Sequence, residues 1–478
     1  MTYADVLAQR RQVLGPNMAL FFADQPLHIR KARGCELFDA ETGASYLDCI
    51  NNVSHVGHCH PRVASAVAEQ MFTLNTNSRY LHEGLVTLAR RLAATAPDPL
   101  SVVYPVVSGS EANDLAWRIA CEYADALNTS TRECTGTEAP ELHVACVDHG
   151  YHGHTSACID ISPYKFWGKG GKGKQVHVHV LPRPDVYRGK NLDGAGAARE
   201  AIAAAAAAGG RIAAFFCESI LSCGGQIILP PGWLAGVYKE FKSVNAVCVA
   251  DEVQCGFGRI GTAGFWAFET QGVVPDIITC GKPMGNGFPC AAVITTPTLA
   301  EAFSVGGMEF FATYGGCTAA TAAALAVLDV LEDEKLQLNA TMVGKYCMER
   351  LEGLKKTHGQ VIGDVRGIGL MIGVEIVVDC ASKNPAPVTA AWIKGRCKEK
   401  HRVLLSCEGP YANVLKIKPP MVFSRDDVDR MVSAIEESLD ALRGGADVEV
   451  VTAAVLTKEN EEAVAEVYRR RKQMNALL

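Results

Sequence analysis

Short, uninterrupted apolar runs recur through the middle of the chain, separated by longer stretches whose apolar residues return every three or four positions. The runs are SVVYPVV (101–107), LHVACVD (142–148), RIAAFFCES (211–219), NAVCVADEVQ (245–254), PDIITC (275–280) and CAAVITT (290–296). A run that is apolar at every position predicts a strand covered on both faces, as in a parallel sheet wrapped by helices. Strands that alternate with helices predict an α/β domain. NTSTRECTGTEAPE (128–141) and GKGGKGK (168–174) predict surface loops, and AREAIAAAAAAGG (198–210) predicts an alanine-rich helix stopped by its glycine pair.

The texture changes after about residue 320. TAAALAVLDVLEDEKLQ (321–337) has the spacing of an amphipathic helix, GDVRGIGLMIGVEIV (363–377) reads as strand, and helical patterns follow. Near the start, CELFDAETGASYLDC (35–49) predicts a hairpin. The expected organisation is a segment 1–75 packing with a small domain, a large domain 76–320 with a mostly parallel sheet, and a smaller α+β domain 321–478 with an extra helical tail.

Candidate chemistry gathers where apolar runs end. In open α/β sheets, ligands bind at the carboxyl ends of the strands. Asp251 ends AVCVAD, and Lys282 follows PDIITC within the turn TCGKPMGNG (279–287). A carboxylate buried there calls for a cation or a donor, and a structural ion pair with Lys282 would supply one. The Gly-Lys-Pro setting points further: glycine permits close backbone approach and proline stiffens the turn, which positions a reactive amine. SGSEAND (108–114) stands between a run and a helical stretch, so its free N–H groups form a phosphate site, unless Ser110 and Asn113 are merely a capping box. DHGYHGH (148–154) adds the ring of Tyr151. An amine, a carboxylate, a phosphate cradle and a flat ring together suit pyridoxal phosphate.

With SGSEAN, YHGH, ADEVQCGFGRIG, GKPMGNG, TYGG and KIKPPM in this order, the chain resembles the class III aminotransferases, which are fold type I pyridoxal-phosphate enzymes. LDCINNVSHVGHCHP, LNTNSRYLH, ISPYKF, SCGGQI and VLKIKPPM resemble the phospho-lyases of that class, which act on ethanolamine phosphate or 5-phosphohydroxylysine. The resemblance implies that Lys282 carries the cofactor and later acts as base, and that Asp251 pairs with the ring nitrogen. It also implies that Gln254 reaches the ring hydroxyl and that Val253 and Tyr151 cover the two ring faces. Gly109 and Ser110 would bind the cofactor phosphate, joined by Thr313 of a neighbouring subunit in a homodimer, or in a tetramer built from it.

The chain departs from many transaminases of this class at Lys416, where they carry an arginine. Lysine is a point charge and lacks the guanidinium fork that grips a carboxylate. Lys416, with Arg79 as a second candidate, is therefore expected to meet a substrate phosphate. The expected reaction is elimination of phosphate from ethanolamine phosphate. The alternatives are the same chemistry on 5-phosphohydroxylysine, or amine transfer to a keto acid.

Composition narrows the remaining classes. Hydrophobic residues make up 48% and charged residues 21% of the 478, with a net charge of −6, the balance of an ordinary globular protein. No basic footprint for nucleic acid or an anionic membrane accompanies that charge, and RRRK at Arg469–Lys472 reads as a solvated helix face. No run approaches the roughly 20 apolar residues of a membrane span. The N-terminus lacks an apolar h-region and carries Asp5, so the cytosol is expected, with a short mitochondrial address as the alternative. The 18 cysteines contain no CxxC pair and predict reduced thiols. GFGRIG (256–261) follows its acidic residues instead of preceding one, against a dinucleotide fingerprint, and the histidine spacing of HVGHCH (55–60) fits no common zinc pattern, so no metal is expected.

Overall fold

The six apolar runs pair with a seventh strand in one sheet of the computed structural model, which describes residues 1–135, 139–444, 462–467 and 469. The strands are β1 (Val102–Val106), β2 (Glu141–Val147), β3 (Val178–Leu181), β4 (Gly210–Glu218), β5 (Val247–Asp251), β6 (Ile277–Cys280) and β7 (Ala291–Thr295). Their spatial order is β1-β7-β6-β5-β4-β2-β3, parallel throughout except for β7, which is antiparallel to β6 and β1. Pro105 sits opposite Ala292 in β1, a position open to proline because β1 is an edge strand.

Alternation along each strand builds two cores. Val247, Val249, Ala214 and Phe216 face the helix α1 (Gly109–Thr135) and meet its Leu115 and Ile119. Cys248, Ala250, Phe215 and Cys217 face the other way, onto Trp233, Val237 and Phe241 of the helix Trp233–Ser243. Each such fully buried Val or Phe contributes about 1.5–3 kcal/mol, so a sheet apolar on both sides needs cover on both sides. The alanine-rich helix forms over Gly194–Ala207, and Gly209 follows it in the left-handed region at φ +80°. Part of the stretch expected as a loop is helix instead, since α1 continues through Thr135. Asn, Ser and Thr are only weak helix formers, and extending an established helix is far easier than starting one.

The predicted amphipathic helix at 321–337 divides into α2 (Thr318–Asp333) and α3 (Leu336–His358), with Lys335 left-handed between them at φ +54°. Tertiary contacts hold the break: Gln337 Nε2 donates to Gly261 O, and Asn339 Nδ2 donates to the carbonyls of Met421 and Phe423. The expected boundary at 320/321 falls inside α2, which packs on the helices Pro61–Thr73 and Glu83–Ala94 and on the turn carrying Lys282. Beyond α3, β8 (Ile362–Ile368), β9 (Met371–Ile376), β10 (Ser406–Glu408) and β11 (Val414–Ile417) form an antiparallel sheet in the order β8-β9-β11-β10. The hairpin Glu36–Asp39/Ser45–Asp48 joins this C-terminal part through a parallel pairing with Val403–Leu404 and an Arg430–Glu36 ion pair at 2.7 Å. Of RRRK only Arg469 is described, paired with Glu466; the other three residues and most of the expected tail lie outside the described residues.

Candidate active site

β4 and β5 end side by side on buried carboxylates, with Glu218 opposite Asp251 in the register and Thr279 of β6 on Asp251's other side. Asp251 Oδ2 accepts Nδ1–H of His152 and Nδ2–H of Asn113, both at 2.8 Å, while Oδ1 accepts the backbone N–H of Val253 at 3.1 Å. Asn113 is itself oriented, because its Oδ1 accepts Thr279 Oγ1–H at 2.7 Å. A buried carboxylate is thus held in one rotamer by three donors and still calls for a positive partner.

Lys282 opens a single turn of 3₁₀ helix, Lys282–Gly285, directly after Gly281. A Cβ on Gly281 would lie 3.3 Å from the backbone nitrogen of Gly109, so the lysine turn packs onto the start of α1. Gly109 is equally confined, since its Cβ would meet Val253 Cγ1 at 2.7 Å. The helix is capped by Ser108, whose Oγ accepts Glu111 N–H at 3.2 Å, and not by the Ser110–Asn113 box considered above. Ser110 is engaged elsewhere, its Oγ accepting His154 N–H at 3.1 Å. Among the described residues the N–H groups of Gly109 and Ser110 have no protein acceptor, as an anion site at a helix N-terminus requires. Burial lowers the pKa of the half-buried Lys282, and attraction by Asp251 opposes this only in part, so its amine is biased toward the free base.

Glu218 holds the loop that carries the aromatic ring. Its Oε1 accepts Tyr151 N–H at 3.0 Å and its Oε2 accepts Ser222 N–H at 3.1 Å. Burial raises its pKa from 4.5 to about 7. The folded protein therefore holds a proton between these values that the unfolded chain lacks. This group's stabilising contribution is full below pH 4.5 and is lost as pH rises through about 7. The Tm of wild type relative to that of Glu218→Gln, followed by calorimetry, is expected to fall between about pH 5 and pH 8; a constant offset would mean that Glu218 is ionised throughout.

Gly109, Ser110, Tyr151, Asp251, Val253, Gln254 and Lys282 all line one cavity of about 290 Å³. Lys416 lines a second cavity of about 440 Å³ and pairs with Glu408 at 2.5 Å. Its charge also reaches Lys282. Arg79 does not enter this chain's cavity; it is exposed, with its guanidinium 4.1 Å above the Phe311 ring. Thr313 is exposed and likewise absent from the cavity wall. Several residues hold the site in ways the sequence reading did not assign: His152 and Asn113 (read only as part of a cap) behind Asp251, Glu218 behind Tyr151, Asn52 and Lys418 on Gln254, and Glu408 on Lys416. The quoted motifs contained most of them, but only contacts between distant segments show what each one holds. The histidines of HVGHCH go to separate partners: His55 to Phe257 O, His58 to Asp48 and His60 to Glu334.

The residues fit pyridoxal phosphate. Unpaired N–H groups at a helix start suit a phosphate, a three-donor carboxylate suits a ring cation, and Lys282, Tyr151 and Val253 line the same cavity. Residues 22–439 match the aminotransferase class-III family. The alanine–glyoxylate aminotransferase 2-like protein of Drosophila melanogaster is 45% identical, covering 92% of this chain and 88% of its own length. Ethanolamine-phosphate phospho-lyase homolog 1 of Caenorhabditis elegans is 36% identical over 91% of this chain and 93% of its own. Among solved structures, a phospholyase from Arthrobacter in complex with phosphoethanolamine superposes with a TM-score of 0.82 at 37% identity, covering 91% of this chain and 100% of its own.

Proposed function

The chain belongs to the class III aminotransferase family, a fold type I pyridoxal-phosphate enzyme, and from that premise we propose that it is a phospho-lyase. It converts ethanolamine phosphate and water to acetaldehyde, ammonia and inorganic phosphate. The observation that carries this is the residue type at position 416: a lysine paired with Glu408 stands there, and among the described residues of the chain itself no arginine lines its cavity or that of Lys282. A point charge at that position lacks the fork that grips an α-carboxylate, whereas it can meet a phosphate. The phosphoethanolamine in the Arthrobacter phospholyase complex supports the choice.

When bound, pyridoxal phosphate supplies an electron sink for the carbon that bears the substrate amine. Lys282, its pKa lowered by burial, takes the proton from that carbon and holds it on Nζ. Asp251 keeps positive charge at the ring nitrogen through its free lone pairs, with His152 and Asn113 fixing its orientation. Tyr151 and Val253, which line the same cavity, would cover the two faces of the ring. Lys416 exchanges Glu408 for the substrate phosphate and stabilises the dianion as the C–O bond breaks and the phosphate leaves with its electron pair. The two-carbon product then takes up water and releases ammonia.

Incubation with ethanolamine phosphate and no keto acid is expected to release inorganic phosphate, faster than from 5-phosphohydroxylysine, which presents the same aminomethyl and phosphate groups. Turnover that starts only when pyruvate or glyoxylate is added would make the enzyme a transaminase.

The site is completed by a second copy. Phe72, Leu81 and Tyr314 are 93%, 104% and 70% exposed on the same surface regions as Arg79 and Thr313. Covering that apolar face would bring Thr313 to the other copy's cofactor phosphate and Arg79 to its substrate side. Sedimentation equilibrium is expected to return twice the 51.1 kDa chain mass, and a single-chain mass for active enzyme would refute the shared site.

A further inference from the structure

Lys418 is the lysine of KIKPPM to which the proposed reaction assigns no task, and it is 3% exposed. It follows β11 two positions after Lys416, so the two side chains leave the strand toward the same face. Its Nζ donates to Oε1 of Gln254 at 2.7 Å. The same oxygen accepts Nδ2–H of Asn52 at 3.0 Å, and Asn52 also reaches the backbone carbonyl of Gln254 at 3.2 Å. Lysine nitrogen and amide –NH2 both approach as donors. If the Gln254 amide were turned over, its own –NH2 would face both of them. Its oxygen is therefore locked outward and its –NH2 left for the cavity that Gln254 lines, where Nε2 has no protein acceptor among the described residues.

We propose that Lys418 and Asn52 are positioning residues that lock the Gln254 amide with its donor toward the ring oxygen of the bound cofactor, and so set the protonation of that oxygen from behind the cavity wall. The inference rests on the cofactor assignment and is independent of whether phosphate leaves. The groups that face Lys418 are Lys416, Lys282, Arg259 and Cys223, while Asp251 and Glu218 act on Lys282. Burial and the neighbouring cations disfavour charge on Lys418, so it acts through the hydrogen bond it donates and not through its charge. A fixed donor would stabilise the deprotonated oxygen, so releasing the amide that carries it shifts the titration of the bound chromophore to higher pH.

The test is the absorption of the holoenzyme as a function of pH. Lys418→Met keeps the apolar stem and removes the donors; the midpoint of the cofactor's absorption change is expected to rise by about one unit, a tenfold change in proton affinity. Asn52→Ala is expected to move it in the same direction by less, and decides the matter if Lys418→Met does not take up cofactor. In a Gln254→Ala background, adding Lys418→Met is expected to produce almost no further shift. An unchanged midpoint in Lys418→Met overturns the proposal, and so does a shift that persists at full size without Gln254. Phosphate release is not read, so failure here leaves the lyase standing, and failure of the lyase leaves this lock standing.

Discussion

Lys282→Ala is expected to abolish turnover while leaving a folded protein that still takes up cofactor. A positioned base contributes roughly 10²–10⁴-fold by itself, and the alanine variant also loses the nucleophile that captures the cofactor aldehyde. Binding should survive in part because the open N–H groups of Gly109 and Ser110 and the carboxylate of Asp251 are untouched. The fold should survive because Lys282 lies on a turn whose shape depends on Gly281 and Pro283. Two measurements check this: steady-state turnover at saturating cofactor, and borohydride reduction followed by peptide mapping. Reduction is expected to label Lys282 in the wild type and nothing in the variant. Lys418, another buried amine close to the site, is an informative control, since a label there would move the covalent chemistry to that lysine.

Asp251→Asn is expected to be nearly as severe for a different reason. Two donors, His152 and Asn113, converge on Oδ2, so the variant must keep its oxygen there and place its –NH2 where Oδ1 was. That –NH2 then opposes Val253 N–H and offers a donor to a ring nitrogen that needs an acceptor. Removing one partner of a buried charge pair costs about 3–5 kcal/mol, which corresponds to roughly 10²–10⁴ in rate if it is felt in the transition state. The variant's kcat should fall by that factor with substrate KM little changed. A cofactor analogue carrying a methyl group on the ring nitrogen, and thus a permanent positive charge, should recover part of the loss. A variant with wild-type kcat would show that the carboxylate serves packing alone.

The depth of both effects comes from how little slack the site has. Gly109, Gly153 and Gly281 lie where a single methyl group would meet Val253, Ser110 and the start of α1. The amine, the carboxylate and the open helix start therefore keep their spacing without induced rearrangement.

Some of this was legible along the chain. Runs apolar at every position could only be strands covered twice, and that alone specified an α/β sheet and placed Asp251 and Lys282 at its carboxyl end. β3 escaped because VHVHVL alternates apolar residues with histidine, and as an edge strand it needs less cover. The split between α2 and α3 escaped because helical periodicity continues across Lys335, and only contacts to Gly261, Met421 and Phe423 stop it.

What the chain determined by itself was local: the period of its apolar positions, the stiff turn around Lys282, and the residue types able to hold an aldehyde and a phosphate. Tertiary structure alone decided the pairings. It turned Ser110 and Asn113 from a cap into an open helix start and a brace for Asp251, set Glu408 against Lys416, and placed Lys418 and Asn52 behind Gln254, 164 and 202 positions away in the chain. The physical reason is range. Periodicity and turn chemistry act over a few residues, whereas a buried polar group takes whichever donor or acceptor the packed fold brings within about 3 Å.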